Sequence, residues 1–313
     1  MLRIGIDLGG TNIAVGIVNE EGVILAKKSA PTLAEREYDR IIDDIVKLCN
    51  DLCEETGIGI DNIDSIGIAV PGGVDENKGN IIFTPNIPFS GLSISKILSE
   101  KFGSKKVGVI NDANAALLSE LRFGAALGFQ DVVMITIGTG IGGAIAIKGN
   151  LVSGTNGMAG ELGHMVIQRD GKKCSCGRHG CFEIYASATA LVELTKHEIE
   201  KCRANGENTS MSKTLEVNAR VPFDAYKEGD PAAKRVIDEY IEGLSCGITS
   251  LINIFQPDLF VIGGGVSGEK QFLIDLLMPH IVREQYSRDM KKTTKLTTAQ
   301  CGNGAGIIGA AFA

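Results

Sequence analysis

Two glycine turns, each flanked by short runs rich in branched aliphatic residues, restrict this chain more than any other feature. The first follows Leu2–Ile6 and reads Asp7-Leu8-Gly9-Gly10-Thr11-Asn12 before Ile13–Val18. The second follows Val132–Ile137 and reads Gly138-Thr139-Gly140 before Gly142–Ile147. Glycines between two apolar runs predict a strand, a tight turn and a returning strand. The two devices lie about 130 residues apart, and the residues after each differ. The halves therefore share a topology and not a sequence repeat.

Around these turns, strands alternate with helices. Tyr38, Ile41, Ile45, Leu48 and Leu52 recur at helical spacing and predict a helix over 34–56 with those residues as its buried stripe. Ile63–Val70 predicts a buried strand ending at Pro71-Gly72-Gly73, and Val107–Ile110 a strand before a helix over Ala113–Phe123. Helices are also predicted over Leu92–Phe102, Ala188–Asn205, Pro231–Phe255 and Ala305–Phe312, and a short strand over Leu259–Ile262. Residues 150–185 read as loop. This alternation predicts an α/β architecture. A length of 313 residues suits two domains, and the absence of a linker predicts that they pack across a cleft.

The net charge of -7 is spread along the chain, with no Lys/Arg cluster large enough to hold nucleic acid. The first residues lack the apolar core of an export signal, and Asp7 comes almost at once. The longest apolar stretch, 132–147, is rich in glycine and shorter than the roughly 20 residues a membrane helix needs. A cytoplasmic protein with no membrane or nucleic-acid partner is expected, its eight Cys serving as reduced thiols or metal ligands.

A hairpin turn without side chains exposes backbone N–H groups that a phosphate can approach closely. Thr11 and Asn12 add side-chain donors, and Asp7 at the strand end can hold Mg²⁺ directly or through water. Gly138-Thr139-Gly140 offers a second clamp of the same kind. Turn geometry alone would account for one such hairpin; two, with Asp at one strand end, point to a nucleotide. Gly304-Ala305-Gly306-Ile307-Ile308-Gly309 matches G-x-G-x-x-G, but no βαβ unit is expected to follow it. Close packing of a helix explains those glycines instead.

Cys174-Ser175-Cys176-Gly177-Arg178-His179-Gly180-Cys181 puts three thiols within eight residues. A closed tetrahedral zinc site needs a fourth ligand. His164 is favoured over His179, because the short loop that holds His179 is already tightly constrained. Three Cys and one His leave no position for water, so the zinc is expected to be structural. Asn111-Asp112 stands between a strand and a helix, where one residue can cap the helix while the other faces a ligand. Glu161 and His164 are three apart and share a face if the segment turns helically. Glu183 follows Cys181 closely, so a zinc-ordered loop would fix it. A metal-bound His keeps a second ring nitrogen for a ligand hydroxyl.

Asp7-Leu8-Gly9-Gly10-Thr11, Gly138-Thr139-Gly140-Ile141-Gly142-Gly143, Glu161-Leu162-Gly163-His164 and Cys174-x-Cys176-Gly177-x-x-Gly180-Cys181-x-Glu183 stand in this order. Together they resemble the ROK family of repressors and sugar kinases, over essentially the whole chain. The resemblance implies a two-lobed actin-like ATPase (ribonuclease H-like) fold with a ligand cleft between the lobes. The small lobe would comprise residues 1–116 plus 300–313, and the large lobe residues 117–299 with the zinc loop. It implies ATP, Mg²⁺ and structural Zn²⁺, a sugar as partner, and a homodimer. Asp112 then corresponds to the catalytic base, and Asn86, Asn111, Glu161, His164 and Glu183 to sugar ligands. Asp7, Gly10, Thr11, Asn12 and Thr139 would surround the phosphates, and Gly264 and Gly265 the adenosine. His164, Cys174, Cys176 and Cys181 would hold the zinc.

The activity so implied is transfer of the ATP γ-phosphate to the 6-hydroxyl of glucose, after the lobes close and exclude water. Many glucose-specific members follow Pro-Asn with Gly-Trp, where this chain has Asn86-Ile87-Pro88-Phe89-Ser90. N-acetylmannosamine, N-acetylglucosamine, fructose and allose therefore stand as alternative acceptors. A non-catalytic sugar sensor or a transcriptional regulator is the reading from another class. The family's regulators place a helix-turn-helix before the sugar-binding fold, and a first strand at Leu2 is expected to leave no room for one.

Overall fold

The computed structural model describes all 313 residues, Met1–Ala313. The opening hairpin joins β1 (Leu2–Leu8) to β2 (Asn12–Asn19), and β3 (Ile24–Pro31) extends it. Then come α1 (Tyr38–Thr56), β4 (Ser65–Val70), β5 (Gly73–Asp75), β6 (Asn80–Phe83), α2 (Ile94–Lys101), β7 (Val107–Asn111) and α3 (Asp112–Phe123). The second hairpin is β8 (Val132–Ile137) and β9 (Ile141–Ile147), followed by β10 (Asn150–Leu151). The chain continues through α4 (Glu183–Ala186), α5 (Ala188–Asn205), α6 (Val221–Lys227) and α7 (Pro231–Phe255). It ends with β11 (Leu259–Gly264), α8 (Gln271–Glu284), β12 (Lys295–Thr298) and α9 (Ala305–Ala311).

Each glycine hairpin starts a five-stranded sheet of the same plan, β3-β2-β1-β4-β7 and β10-β9-β8-β11-β12. In each sheet the hairpin's first strand pairs parallel with a later one, β1 with β4 and β8 with β11. The duplicated topology read from the two turns is thus present, with no repeat of sequence.

The chain divides into two compact units. Unit 1 comprises Met1–Gln130, Ala144–Gly160 and Gln300–Ala313; unit 2 comprises Asp131–Gly143 and Glu161–Ala299. A division at 116/117 would cut α3, which the structure keeps whole in unit 1. The reason lies in Glu120, whose side chain is fully buried near the end of α3. Its Oε2 accepts from Ala125 N (2.7 Å), and its Oε1 from Gln300 N (2.9 Å) and Cys301 N (2.7 Å). A buried carboxylate needs such donors, and here they bind α3 to the returning chain.

In unit 1, α1 covers the sheet with Ile41, Ile42, Ile45, Leu48, Cys49, Leu52 and Cys53. Tyr38 does not join that stripe: it opens the helix and is 39% exposed. The other sheet face receives α9. Gly16, Gly5, Gly67 and Gly108 stand in register across β2, β1, β4 and β7. A Cβ at Gly5 would lie 1.9 Å from Ile307 O, and one at Gly67 1.8 Å from Ala310 O. The glycine row is therefore a groove in which the α9 backbone lies. Gly309 in turn lets α9 approach α3, since a Cβ there would sit 1.8 Å from Ala115 O. Close packing thus accounts for Gly309 as the sequence suggests; Gly306 has a different neighbour, given below.

In unit 2, α5 and α7 pack together, with Tyr240 of α7 buried and its hydroxyl donating to Ala186 O (2.8 Å). α6, α8 and β12 carry no clear sequence signal, and α8 contains Pro279. No helix is long and apolar enough to cross a membrane.

Candidate active site

The unit 1 residues gather at the β1–β2 turn and the ends of β4 and β7. Asp7 is the next-to-last residue of β1, and its carboxylate faces Gly306, where a Cβ would meet Oδ2 at 2.3 Å. Burial raises the Asp7 carboxyl above the ordinary value of 3.8, and no hydrogen bond or ion pair offsets it. A desolvated carboxylate without a partner suits a divalent cation. Thr11 and Asn12 are exposed beside it. Asn86 lies against the same turn, its Cβ 3.4 Å from where a Gly10 Cβ would be.

The loop that carries Asn86 is fastened at both ends. Thr84 Oγ1 donates to Ile87 O (2.7 Å), Thr84 N donates to Ser90 Oγ (3.0 Å), and Ile87 and Phe89 are buried. Asn111 and Asp112 divide their tasks. Asn111 Oδ1 accepts from Ala113 N (2.9 Å) and Asn114 N (3.1 Å), the N-cap of α3, while its Nδ2 donates to Gly72 O (3.0 Å). Most of the Asn111 side chain is thus committed to the backbone. Asp112 is exposed, with Oδ1 accepting from Ala113 N (2.8 Å).

The unit 2 residues gather at the second glycine turn. Gly264 has φ +80°, and a Cβ there would lie 2.3 Å from Ile137 O, so Gly264-Gly265 adjoins the Gly138-Thr139-Gly140 turn. Leu162–His164 forms a single 3₁₀ turn after the exposed Glu161, and Gly163 packs on Ile141 O just past the glycine turn.

A ring nitrogen of His164 and the sulfurs of Cys174, Cys176 and Cys181 lie within 4.8 Å of one another. Cys174 Sγ is 3.7 Å from His164 Nδ1, and Cys176 Sγ is 3.7 Å from Cys181 Sγ. Donors bound tetrahedrally at roughly 2.0–2.3 Å from zinc stand roughly 3.3–3.8 Å apart, so the cluster fits that ion. His179 is not part of it. Burial pushes the Cys174 thiol up to about 12 and raises Cys181, whereas the Arg178 backbone N–H holds Cys176 down.

Gly180 has φ +80°, and a Cβ there would lie 1.7 Å from Gln168 O, so only glycine closes the loop. Glu183 bridges the two features. Its Oε1 is 3.1 Å from Cys174 Sγ and 3.5 Å from His164 Nδ1, and its Oε2 would lie 2.6 Å from a Cβ on Gly140.

The ROK family model matches residues 3–313. The chain belongs to the ROK family. A glucokinase of Thermotoga maritima is 34% identical over 317 aligned positions, covering 98% of this chain and 95% of that protein. A ROK family glucokinase from Streptomyces griseus, solved with glucose and AMPPNP, superposes with a TM-score of 0.84 at 34% identity, covering 100% and 98% of the two chains. A ROK family transcriptional regulator, a homologue of the E. coli MLC protein, superposes with a TM-score of 0.87 at 27% identity, covering 99% of this chain and 76% of the regulator. The fold is thus the actin-like ATPase fold of the ROK kinases.

Three residues beside these turns carry little signal in the sequence. Gly306 sits beside Asp7, which only the three-dimensional return of α9 reveals. Ala188 and Thr189 reach the second glycine turn from the start of α5.

Proposed function

We propose that this ROK chain is an ATP-dependent kinase that transfers the γ-phosphate of ATP to the 6-hydroxyl of glucose. One observation carries the reading: end-to-end likeness at 34% identity to glucokinases, one of them solved with glucose and AMPPNP.

In this reading Asp112 accepts the proton of the attacking hydroxyl. Asn86, Glu161, His164 and Glu183 hold the sugar hydroxyls, with Asn111 contributing at most its remaining Nδ2–H. The N–H groups of the two glycine turns, with Thr11, Asn12 and Thr139, meet the phosphates as charge builds on the transferring group. Gly264 and Gly265 border the adenosine. Asp7 is the residue that would hold Mg²⁺, which when bound neutralises phosphate charge. Zinc on His164, Cys174, Cys176 and Cys181 would supply rigidity alone, fixing the loop that presents Glu183 and His164.

The likeness to the ROK regulator favours a second reading, a sugar sensor without turnover. An ADP-release assay with MgATP separates the two. The panel is glucose, mannose, fructose, allose, N-acetylglucosamine and N-acetylmannosamine. Glucose is expected to give the largest kcat/KM. An N-acetyl sugar ahead of glucose would keep the kinase and replace the acceptor. No turnover on any sugar, from protein with zinc bound, would overturn the kinase reading.

A further inference from the structure

The first turn of α5 grips the second glycine turn from behind. Ala188 N donates to Gly138 O (2.9 Å), and Thr189 Oγ1 donates to Thr139 O (2.8 Å). A helix leaves its first backbone N–H groups without intrahelical acceptors, and here one of them is satisfied by the glycine turn. The helix has its own cap in Ser187, whose Oγ accepts from Ala190 N (3.1 Å). The Thr189 hydroxyl is therefore not needed to start α5.

In a trans peptide the C=O and N–H point in opposite directions. No cis peptide occurs in the chain. With the carbonyls of Gly138 and Thr139 both drawn toward α5, the amide N–H groups of Thr139 and Gly140 are turned away from it. Two successive N–H groups facing one way make an anion-binding concavity. Gly140 also lies against Glu183 Oε2, in the short helix just before α5. The segment 183–189 thus touches all three residues of the turn.

We propose that Thr189 is a positioning residue for the nucleotide: its hydroxyl fixes the orientation of the Thr139–Gly140 peptide that meets the phosphates. The assignment rests on the nucleotide-binding reading given above, and it adds a residue outside the glycine turns themselves.

The test is calorimetric titration of the full-length protein with AMPPNP and MgCl₂, alongside steady-state kinetics, for wild type, Thr189→Val and Thr189→Ser. Loss of one hydrogen bond of ordinary strength predicts about a fivefold rise in the AMPPNP Kd and in KM for ATP in Thr189→Val. KM for the sugar should stay within about twofold, and the melting temperature should match wild type. Thr189→Ser keeps the hydroxyl and should restore nucleotide affinity. An unchanged Kd in Thr189→Val, while wild type binds AMPPNP, would overturn the role of Thr189 alone. An equal rise in both variants would also overturn it, because keeping the hydroxyl would then restore nothing. If wild type itself binds no AMPPNP, the nucleotide reading fails and this assignment with it.

Discussion

Asp112 stands at the first position of α3, where a carboxylate gains from the helix dipole whatever else it does. The cap proper is supplied by Asn111, so the Asp112 charge can be removed without unstarting the helix. Asp112→Asn is accordingly expected to lower kcat by about 10²–10⁴-fold, while glucose affinity by calorimetry stays within a few-fold. Turnover near wild type would remove Asp112 as the base. Gly180→Ala makes a second residue-scale prediction. Its methyl has no room beside Gln168 O and its φ is that of glycine, so the zinc loop should not close. Zinc content by elemental analysis should drop from about one per chain to a small fraction; full occupancy with an unchanged melting curve would contradict this. Residues whose chemistry depends on near neighbours in sequence were legible: the glycine turns, the three thiols, the Asn-Asp pair. His164 could be preferred over His179 by loop constraint alone. Thr189 could not be found, because its partner carbonyl is 50 positions away.

At the scale of elements, α7 was readable to both ends because Asp230-Pro231 is a strong start signal and the Val236, Tyr240, Leu244, Ile248 and Leu251 stripe is unbroken. α8 was hidden by Pro279 in its interior. β12, Lys295–Thr298, has no apolar alternation to betray it. Asp230 does more than cap. Oδ1 accepts from Ala232 N (2.8 Å) and Ala233 N (3.2 Å), and Oδ2 from Ser210 N (2.6 Å), Ser210 Oγ (2.8 Å) and Thr209 Oγ1 (2.8 Å). Burial works against its charge, but these donors outweigh it and hold the carboxyl at about 2, below the ordinary 3.8. A lowered value means stabilisation that is complete above about pH 4 and lost as pH falls toward 2. Its size is at most about 2.5 kcal/mol. Asp230→Ala should therefore be less stable than wild type in urea at pH 7, by about 1–2 kcal/mol, and the gap should narrow at pH 3. A gap that stays constant from pH 7 to pH 3 would refute the linkage.

For the whole molecule, the shared topology of the halves was legible from the twin hairpins, but the glycine row on which α9 lies was not. Gly5, Gly16, Gly67 and Gly108 read separately as small residues in strands; only the register shows that they form one row. Gly309→Ala forces a methyl against Ala115 O, and overpacking of this kind costs about 1–3 kcal/mol or more. Thermal melts should show it clearly below Gly59→Ala, where the nearest atom to the new Cβ is a side-chain amide at 3.8 Å. Equal melting temperatures for the two variants would mean that α9 does not depend on close approach. The groove also sets an order of events during biosynthesis. Its floor is β2, β1, β4 and β7, made early; its occupant, α9, emerges only after all of unit 2 has been translated. Long-range closure of this kind comes late in folding. Until α9 is made, the face of β2, β1, β4 and β7 that carries the glycine row lacks the helix that fills it.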